Sequence, residues 1–307
     1  MFPDLKLNGI LALLFSTLLG VGAAVLADVL DTTVRDPEQI QKGLKTEVLG
    51  SLPVVKSWRG RFLPIAANGN GNGLVKAGSH AGGQASAFEE AVRTLRDSIL
   101  LSDLGKRPRS LLLTSATPRE GKTTTSIHLA IAHSQQKRKT LLIDADLRRP
   151  GVHERLGVPN DRGLSTVASG DVEWREVVQK SEAHPDLDVI TAGPPSRSAA
   201  DRLGTVLDGI LTEAEAEYDL VVIDSPPLLG FAEPLQMAAV VDGVVVITLA
   251  GQTNRNAVAS VLSSLKRLNA NVIGVALNEV REDMSDRYYY YGYYGKYYSK
   301  YYKPTKA

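Results

Sequence analysis

Hydrophobic and polar positions are distributed along this chain in three successive regimes. Residues 10–27 form an uncharged run of 18 in which Ser16 and Thr17 are the only hydroxyl residues. As a helix at 1.5 Å per residue it would be about 27 Å long, enough to cross the hydrocarbon core of a bilayer. A cleaved signal sequence competes, because Ala23, Ala24 and Ala27 resemble a cleavage site, although a single base, Lys6, precedes the run. A buried core helix is the other alternative. Arg35, Lys42 and Lys45 beyond the run outnumber Lys6, which weakly orients the C-terminal side towards the cytoplasm. Asp36, Pro37 and Glu38 combine a cap, a proline at the first helical position and an acid in the first turn, so a short helix is predicted to end at Gly43.

In the second regime, short apolar runs at 111–113, 141–143, 221–223, 244–247 and 272–277 alternate with helix-spaced segments such as 88–96 and 127–131. This implies βαβ units and a mostly parallel sheet flanked by helices. Residues 66–87 lack apolar period and are rich in Gly and Asn, which predicts a flexible linker. The third regime is the end of the chain, where ten of the fifteen residues from 288 to 302 are tyrosine. The expected organisation is a stub (1–9), one transmembrane helix (10–27), a juxtamembrane segment with linker (28–87), an α/β domain (88–280) and a tyrosine-rich tail (281–307).

The candidate chemistry sits at the carboxyl ends of the apolar runs. Ser115 is followed by Ala116, Thr117, Pro118, Arg119, Glu120, Gly121, Lys122, Thr123 and Thr124, and then by a helical pattern. Strand, loop and helix in that order are the context of a P-loop, with backbone N–H groups around the β-phosphate, a lysine on β- and γ-oxygens and a hydroxyl on Mg²⁺. Ala116 replaces the usual first glycine. Two further strands end in carboxylates, at Asp144 with Asp146 and Arg148, and at Asp224 followed by Pro226 and Pro227. Strand ends of a parallel sheet project into the ligand crevice, so one lysine, one hydroxyl and three carboxylates converge on a single nucleotide. The expected fold is a P-loop NTPase, with ATP and Mg²⁺ as cofactors. Thr123, Asp144 and Asp224 are the candidate metal-side residues, and Asp144 or Asp146 the candidate general base.

Composition narrows the alternatives. The 35 basic and 34 acidic residues nearly cancel and give no reason to expect nucleic acid as a partner. The absence of cysteine excludes disulfides and thiolate chemistry. Tyr288, Tyr289, Tyr290, Tyr291, Tyr293, Tyr294, Tyr297, Tyr298, Tyr301 and Tyr302, interleaved with Gly and Lys, lack the period of a core element and read as accessible hydroxyls.

Taken in order, the membrane segment, the P-loop, Asp144-x-Asp146-x-Arg148, the apolar triplet with Asp224-x-x-Pro227 and the tyrosine cluster resemble the bacterial tyrosine kinases (BY-kinases) of polysaccharide co-polymerase type. The resemblance implies an autokinase anchored by a single pass in the bacterial inner membrane, with its catalytic domain in the cytoplasm. It makes Lys122, Asp144, Asp146, Arg148 and Asp224 catalytic and the tail tyrosines phosphoacceptors. Glu90, Arg93 and Arg96 match the family's ExxRxxR motif, which implies a ring-like homo-oligomer, although such a charged stripe is usually only solvated surface. Asn278, at the end of a late strand, is the candidate for the adenine edge by resemblance to related P-loop proteins. Implied partners are a phosphotyrosine phosphatase and the polysaccharide polymerisation and export machinery. Met1 falls directly before the helix that is second in most members, so a truncated sequence or a separate extracytoplasmic sensor chain is expected. Residues 193–200 also depart from the Asn-Pro loop of the family. Two other functions compete: a positioning ATPase of Min or Par type, which would carry a lysine at Thr117 and no tyrosine tail, and a chain-length scaffold without catalysis.

Overall fold

A computed structural model describes residues 5–35, 37–55, 79–102 and 107–281. Its helices are α1 (Leu5–Leu30), α2 (Pro37–Leu44), α3 (Ser79–Leu101), α4 (Lys122–Ser134), α5 (Val152–Leu156), α6 (Leu164–Ser169), α7 (Arg197–Ala200), α8 (Leu203–Glu217), α9 (Glu233–Ala238) and α10 (Arg255–Arg267). The strands are β1 (Val48–Pro53), β2 (Ser110–Ser115), β3 (Thr140–Asp144), β4 (Gln179–Lys180), β5 (Leu187–Ile190), β6 (Leu220–Asp224), β7 (Gly243–Leu249) and β8 (Val272–Val280). They form one sheet in the order β1-β8-β7-β2-β6-β3-β5-β4, parallel throughout except for the β4–β5 edge.

The apolar runs form central strands because both faces of the sheet are covered. Leu112, Leu141, Ile143, Val221 and Ile223 pack into one core layer with Leu207 and Leu211 of α8 and Val258 and Val261 of α10. Their neighbours Leu111, Leu113, Leu142 and Val222 face the other way, onto Leu95 and Ile99 of α3 and Ile127 of α4. Alternate residues of a strand point to opposite faces, so each three-residue run serves two cores. The P-loop strand β2 lies between β6 and β7, where the order of connection reverses, and this opens a crevice at the strands' carboxyl ends.

Two boundaries differ from the sequence reading. Helix α3 starts at Ser79, so 79–87 is helical and not linker. Ala81, Gln84, Ala85 and Ala87 are good helix formers, and their preference outweighs Gly82 and Gly83. Residues 66–78 lie outside the described residues, as do the tail tyrosines. The compact unit also begins at Val34, far before residue 88. Val34, Ile40 and Leu52 are fully buried, and β1 adds an edge strand parallel to β8. The run 48–55 is too short and too broken by Gly50, Ser51 and Pro53 to stand out as a strand. Helix α2 ends at Leu44, one residue past the expected Gly43.

Helix α1 is one span long and apolar enough to cross a membrane, and none of its 18-residue apolar window is buried. The core-helix alternative therefore fails.

The stripe of Glu90, Arg93 and Arg96 is not uniform. Arg93 pairs with Glu90 at 3.1 Å on the exposed side. Arg96 is turned inward, with its side chain 7% exposed, and donates to the Ala132 carbonyl near the end of α4 at 2.7 Å and to Asp97 at 2.8 Å. It thus helps hold α3 to the P-loop helix. Arg96→Ala is expected to destabilise the protein by about 1–3 kcal/mol by leaving a buried carbonyl unpaired. Arg93→Ala is expected to stay within about 0.5 kcal/mol. Urea denaturation of the two variants checks this, and equal losses would contradict the division of the stripe.

Candidate active site

The P-loop joins β2 to α4 with a backbone that its residues barely tolerate. Arg119 (φ 68°) and Gly121 (φ 91°) both lie in the left-handed region. At Gly121 a side chain would also collide, since a Cβ there would fall 2.0 Å from Asn278 Nδ2. Ala116, where a glycine is usual, is fully buried. No side chain caps the first turn of α4, so its amides are left to a bound anion.

Register places the carboxylates. Asp144 and Asp224 are cross-strand partners at the ends of β3 and β6, and both are completely buried. Asp144 accepts N–H bonds from Asp146 (3.2 Å) on one oxygen and from Gly151 (3.1 Å) and Val152 (3.0 Å) on the other. Burial first, and then the neighbouring Asp224, push its pKa up despite those bonds. Asp224 accepts the Ser126 hydroxyl at 3.1 Å and is bonded by Thr123, while its Oδ2 is buried without a partner. Its pKa is raised to about 6, chiefly by burial, with Thr123 and Lys122 opposing. Lys122 is 6% exposed. Burial lowers its pKa, against the opposing pull of Asp224, Asp146 and Glu120.

These groups suit a divalent cation and a polyphosphate. Two adjoining carboxyl groups at zero exposure, one with an unpaired oxygen, ionise together only when more positive charge is at hand than one ammonium supplies. Among the described residues no group of three or more His, Cys, Asp or Glu forms a cage for a metal ion. That fits Mg²⁺, which is commonly held by one or two carboxylates together with substrate phosphates. Thr123, Asp144 and Asp224 could hold it.

The remaining expected residues are placed less uniformly. Asp146 joins the pocket and caps the next turn by accepting from the Arg148 (3.3 Å) and Arg149 (3.0 Å) amides. Burial raises its pKa, with the Arg149 amide bond and Lys122 opposing. The Arg148 side chain turns to Glu233 at 3.1 Å and lies 4.5 Å from the Phe231 ring centroid, which ties it to the segment after Pro227. Asn278 donates one amide hydrogen to the Glu120 carbonyl at 3.0 Å and so braces the phosphate loop. Sequence reasoning missed Ser126, Glu233 and Thr253. Ser126 was findable, since four residues after Lys122 it shares that helix face. Glu233 and Thr253 carry no local signal, because their partners Arg148 and Glu120 are 85 and 133 residues away. Glu90, Arg93 and Arg96 belong to α3 and are not part of this pocket.

The folded pKa of Asp224 lies above its ordinary 3.8, so its neutral form stabilises the fold below about pH 4 and this contribution is lost as pH rises through about 6. Asp224→Asn is therefore expected to raise the melting temperature of the nucleotide-free protein by a few degrees at pH 8. The gain should shrink towards pH 4, and Mg·ADP binding should fall at least tenfold. Scanning calorimetry across pH, with calorimetric titration of Mg·ADP, tests both. A lower melting temperature at pH 8 would contradict the assigned charge balance.

Comparison with known proteins agrees with this geometry. Residues 120–277 match a family model described as an AAA domain. The chain is 35% identical over 209 residues to the tyrosine-protein kinase YwqD of Bacillus subtilis, covering 67% of this chain and 87% of that one. It is 31% identical over 299 residues to the tyrosine-protein kinase etk of Escherichia coli, covering 94% of this chain and 40% of the relative. The solved kinase domain of Escherichia coli ETK superposes with a TM-score of 0.71 at 28% identity, over 81% of this chain and 96% of that domain. With the P-loop, the paired strand-end carboxylates and a 35% identical relative matched over most of its length, the chain belongs to the bacterial tyrosine-protein kinases.

Proposed function

We propose that this protein is an ATP-dependent tyrosine autokinase, held at the inner membrane by α1, that phosphorylates its own C-terminal tyrosines within a homo-oligomer and regulates polysaccharide polymerisation and export. The observation that carries the reading is the buried Asp144–Asp224 pair beside Lys122, at the mouth of an uncapped helix. The membrane assignment rests on the length, composition and exposure of α1. The tail, the ring-like assembly, the opposing phosphatase and the export machinery are carried over from the family resemblance.

Phosphoryl transfer depends on in-line placement and on neutralising charge at the γ-phosphoryl group. The first-turn amides of α4 receive the phosphates, and Lys122 reaches β- and γ-oxygens. Thr123, Asp224 and Asp144 would hold the cation. Mg²⁺, when bound, supplies further positive charge at the phosphate oxygens. Asp144 spends both oxygens on backbone amides, whereas Asp146 is bonded through one. Asp146 is accordingly the base that takes the tyrosine proton, and its raised pKa narrows the gap to a phenol near 10. Arg148 supports this from behind by fixing the loop against Glu233.

Each phosphate adds about −1.5 to −2 charge at pH 7, so several of them would reverse the basic character that Lys296, Lys300, Lys303 and Lys306 give the tail. A phosphorylated tail is then repelled by the three carboxylates, and the oligomer loosens. Lys122→Met chains with intact tails, mixed with active chains lacking residues 288–307 in Mg²⁺ and ATP, test the reading. Phosphotyrosine is expected on the Lys122→Met chains. Its absence there, with wild-type chains labelling themselves, would limit transfer to one chain, and unlabelled wild type would remove the kinase reading.

A further inference from the structure

Glu120 places a carboxylate in the phosphate loop, where its charge works against an anionic ligand. It is also 1% exposed, between two residues whose φ angles are 68° and 91°. Its partners account for its place. One oxygen accepts the Thr117 amide at 3.1 Å, and the other accepts the Thr117 hydroxyl at 2.9 Å together with the Thr253 hydroxyl. Thr253, 4% exposed, accepts the Leu249 amide at 3.0 Å in turn, and so anchors Glu120 to the end of β7. The Glu120 carbonyl is held from another side by Asn278 of β8. The loop between 249 and 253 is itself fixed by two backbone bonds to Val34, at 2.7 and 2.9 Å.

We propose that Glu120 and Thr253 are positioning residues for the nucleotide: their buried carboxylate–hydroxyl bridge holds the phosphate loop in its strained, binding-ready shape. The left-handed backbone at Arg119 is costly for a residue with a side chain and persists only where its surroundings enforce it. The bridge spans 133 residues and ties the loop to a fully buried strand, which makes it the enforcing contact. Neither side chain is needed to touch the phosphates. The bridge acts before chemistry, so it sets nucleotide affinity and not the rate of the bound complex. This rests on the reading of the P-loop as the ATP site given above.

The charge on Glu120 makes the proposal testable by sign. If Glu120 acted only as a nearby negative charge, Glu120→Gln would bind Mg·ADP more tightly than wild type. As a loop brace, Glu120→Gln is expected to bind it about tenfold more weakly. Thr253→Val, which keeps shape and loses the hydroxyl, is expected to raise the Mg·ADP dissociation constant and the KM for ATP about tenfold in parallel, with kcat within about twofold. Thr253→Ser should restore binding to within about twofold of wild type. The measurements are calorimetric titration of full-length protein with Mg·ADP and initial rates of autophosphorylation against ATP, with melting curves confirming that each variant is folded. If Thr253→Val does not fold, Glu120→Gln alone decides. Wild-type affinity in Thr253→Val, tighter binding in Glu120→Gln, or equal impairment of Thr253→Ser and Thr253→Val would overturn the inference and leave the ATP site standing. Wild-type protein that takes up no Mg·ADP would instead remove the reading on which it rests.

Discussion

Two carboxylates that end adjacent strands in register, with no solvent around either, set the terms for the rest of this structure. Asp144 and Asp224 are brought together by the parallel pairing of β3 with β6; burial hinders the ionisation of both, and Asp224 hinders that of Asp144 further. A soluble domain with no use for that arrangement would be more stable without it. The surroundings offset the cost only in part: three backbone amides serve Asp144, two hydroxyls serve Asp224, and Lys122 provides one buried cation. An oxygen of Asp224 stays unpaired. The pocket therefore holds a standing demand for positive charge, and a nucleotide carrying a divalent cation meets it while giving the amides of α4 their acceptors.

The scaffold explains how such a demand is tolerated. β2, β3, β6 and β7 are buried along their whole lengths, and the layers formed by α8 and α10 on one face and α3 and α4 on the other fix their register. Little in this core can move to separate the carboxylates. Arg96 extends that rigidity outwards by tying α3 to the far end of the helix that carries Lys122.

The parts legible in the sequence were those in which a few consecutive residues define both a structure and its chemistry. The apolar triplets before Asp144 and Asp224, and Gly121-Lys122-Thr123 after 111–113, pointed to the parallel sheet and to the crevice at its strand ends. Pairings between distant residues were not legible. Glu120 with Thr253, Arg148 with Glu233 and Arg96 with Ala132 each join segments whose local patterns say nothing of the other. The contacts of Arg148, expected to be catalytic from the resemblance, with Glu233, and of Asn278, the candidate for the adenine edge, with the Glu120 carbonyl are of the same kind. The extent of the domain was obscured for a different reason. Residues 34–55 are held by edge pairing to β8 and by a few buried side chains, and edge strands need little apolar run of their own.

One measurement bears most directly on the central claim that this pocket transfers phosphate to the tail. The full-length protein is incubated with ATP and Mg²⁺, and phosphotyrosine is mapped by mass spectrometry. Tyr218 is the one tyrosine outside the tail. It is 8% exposed and donates its hydroxyl to Asp188 at 2.9 Å, with its pKa raised chiefly by burial. The account predicts phosphate on several tyrosines between 288 and 302 and none on Tyr218. Phosphate on Tyr218 with an unmodified tail, or no phosphotyrosine at all, would contradict it.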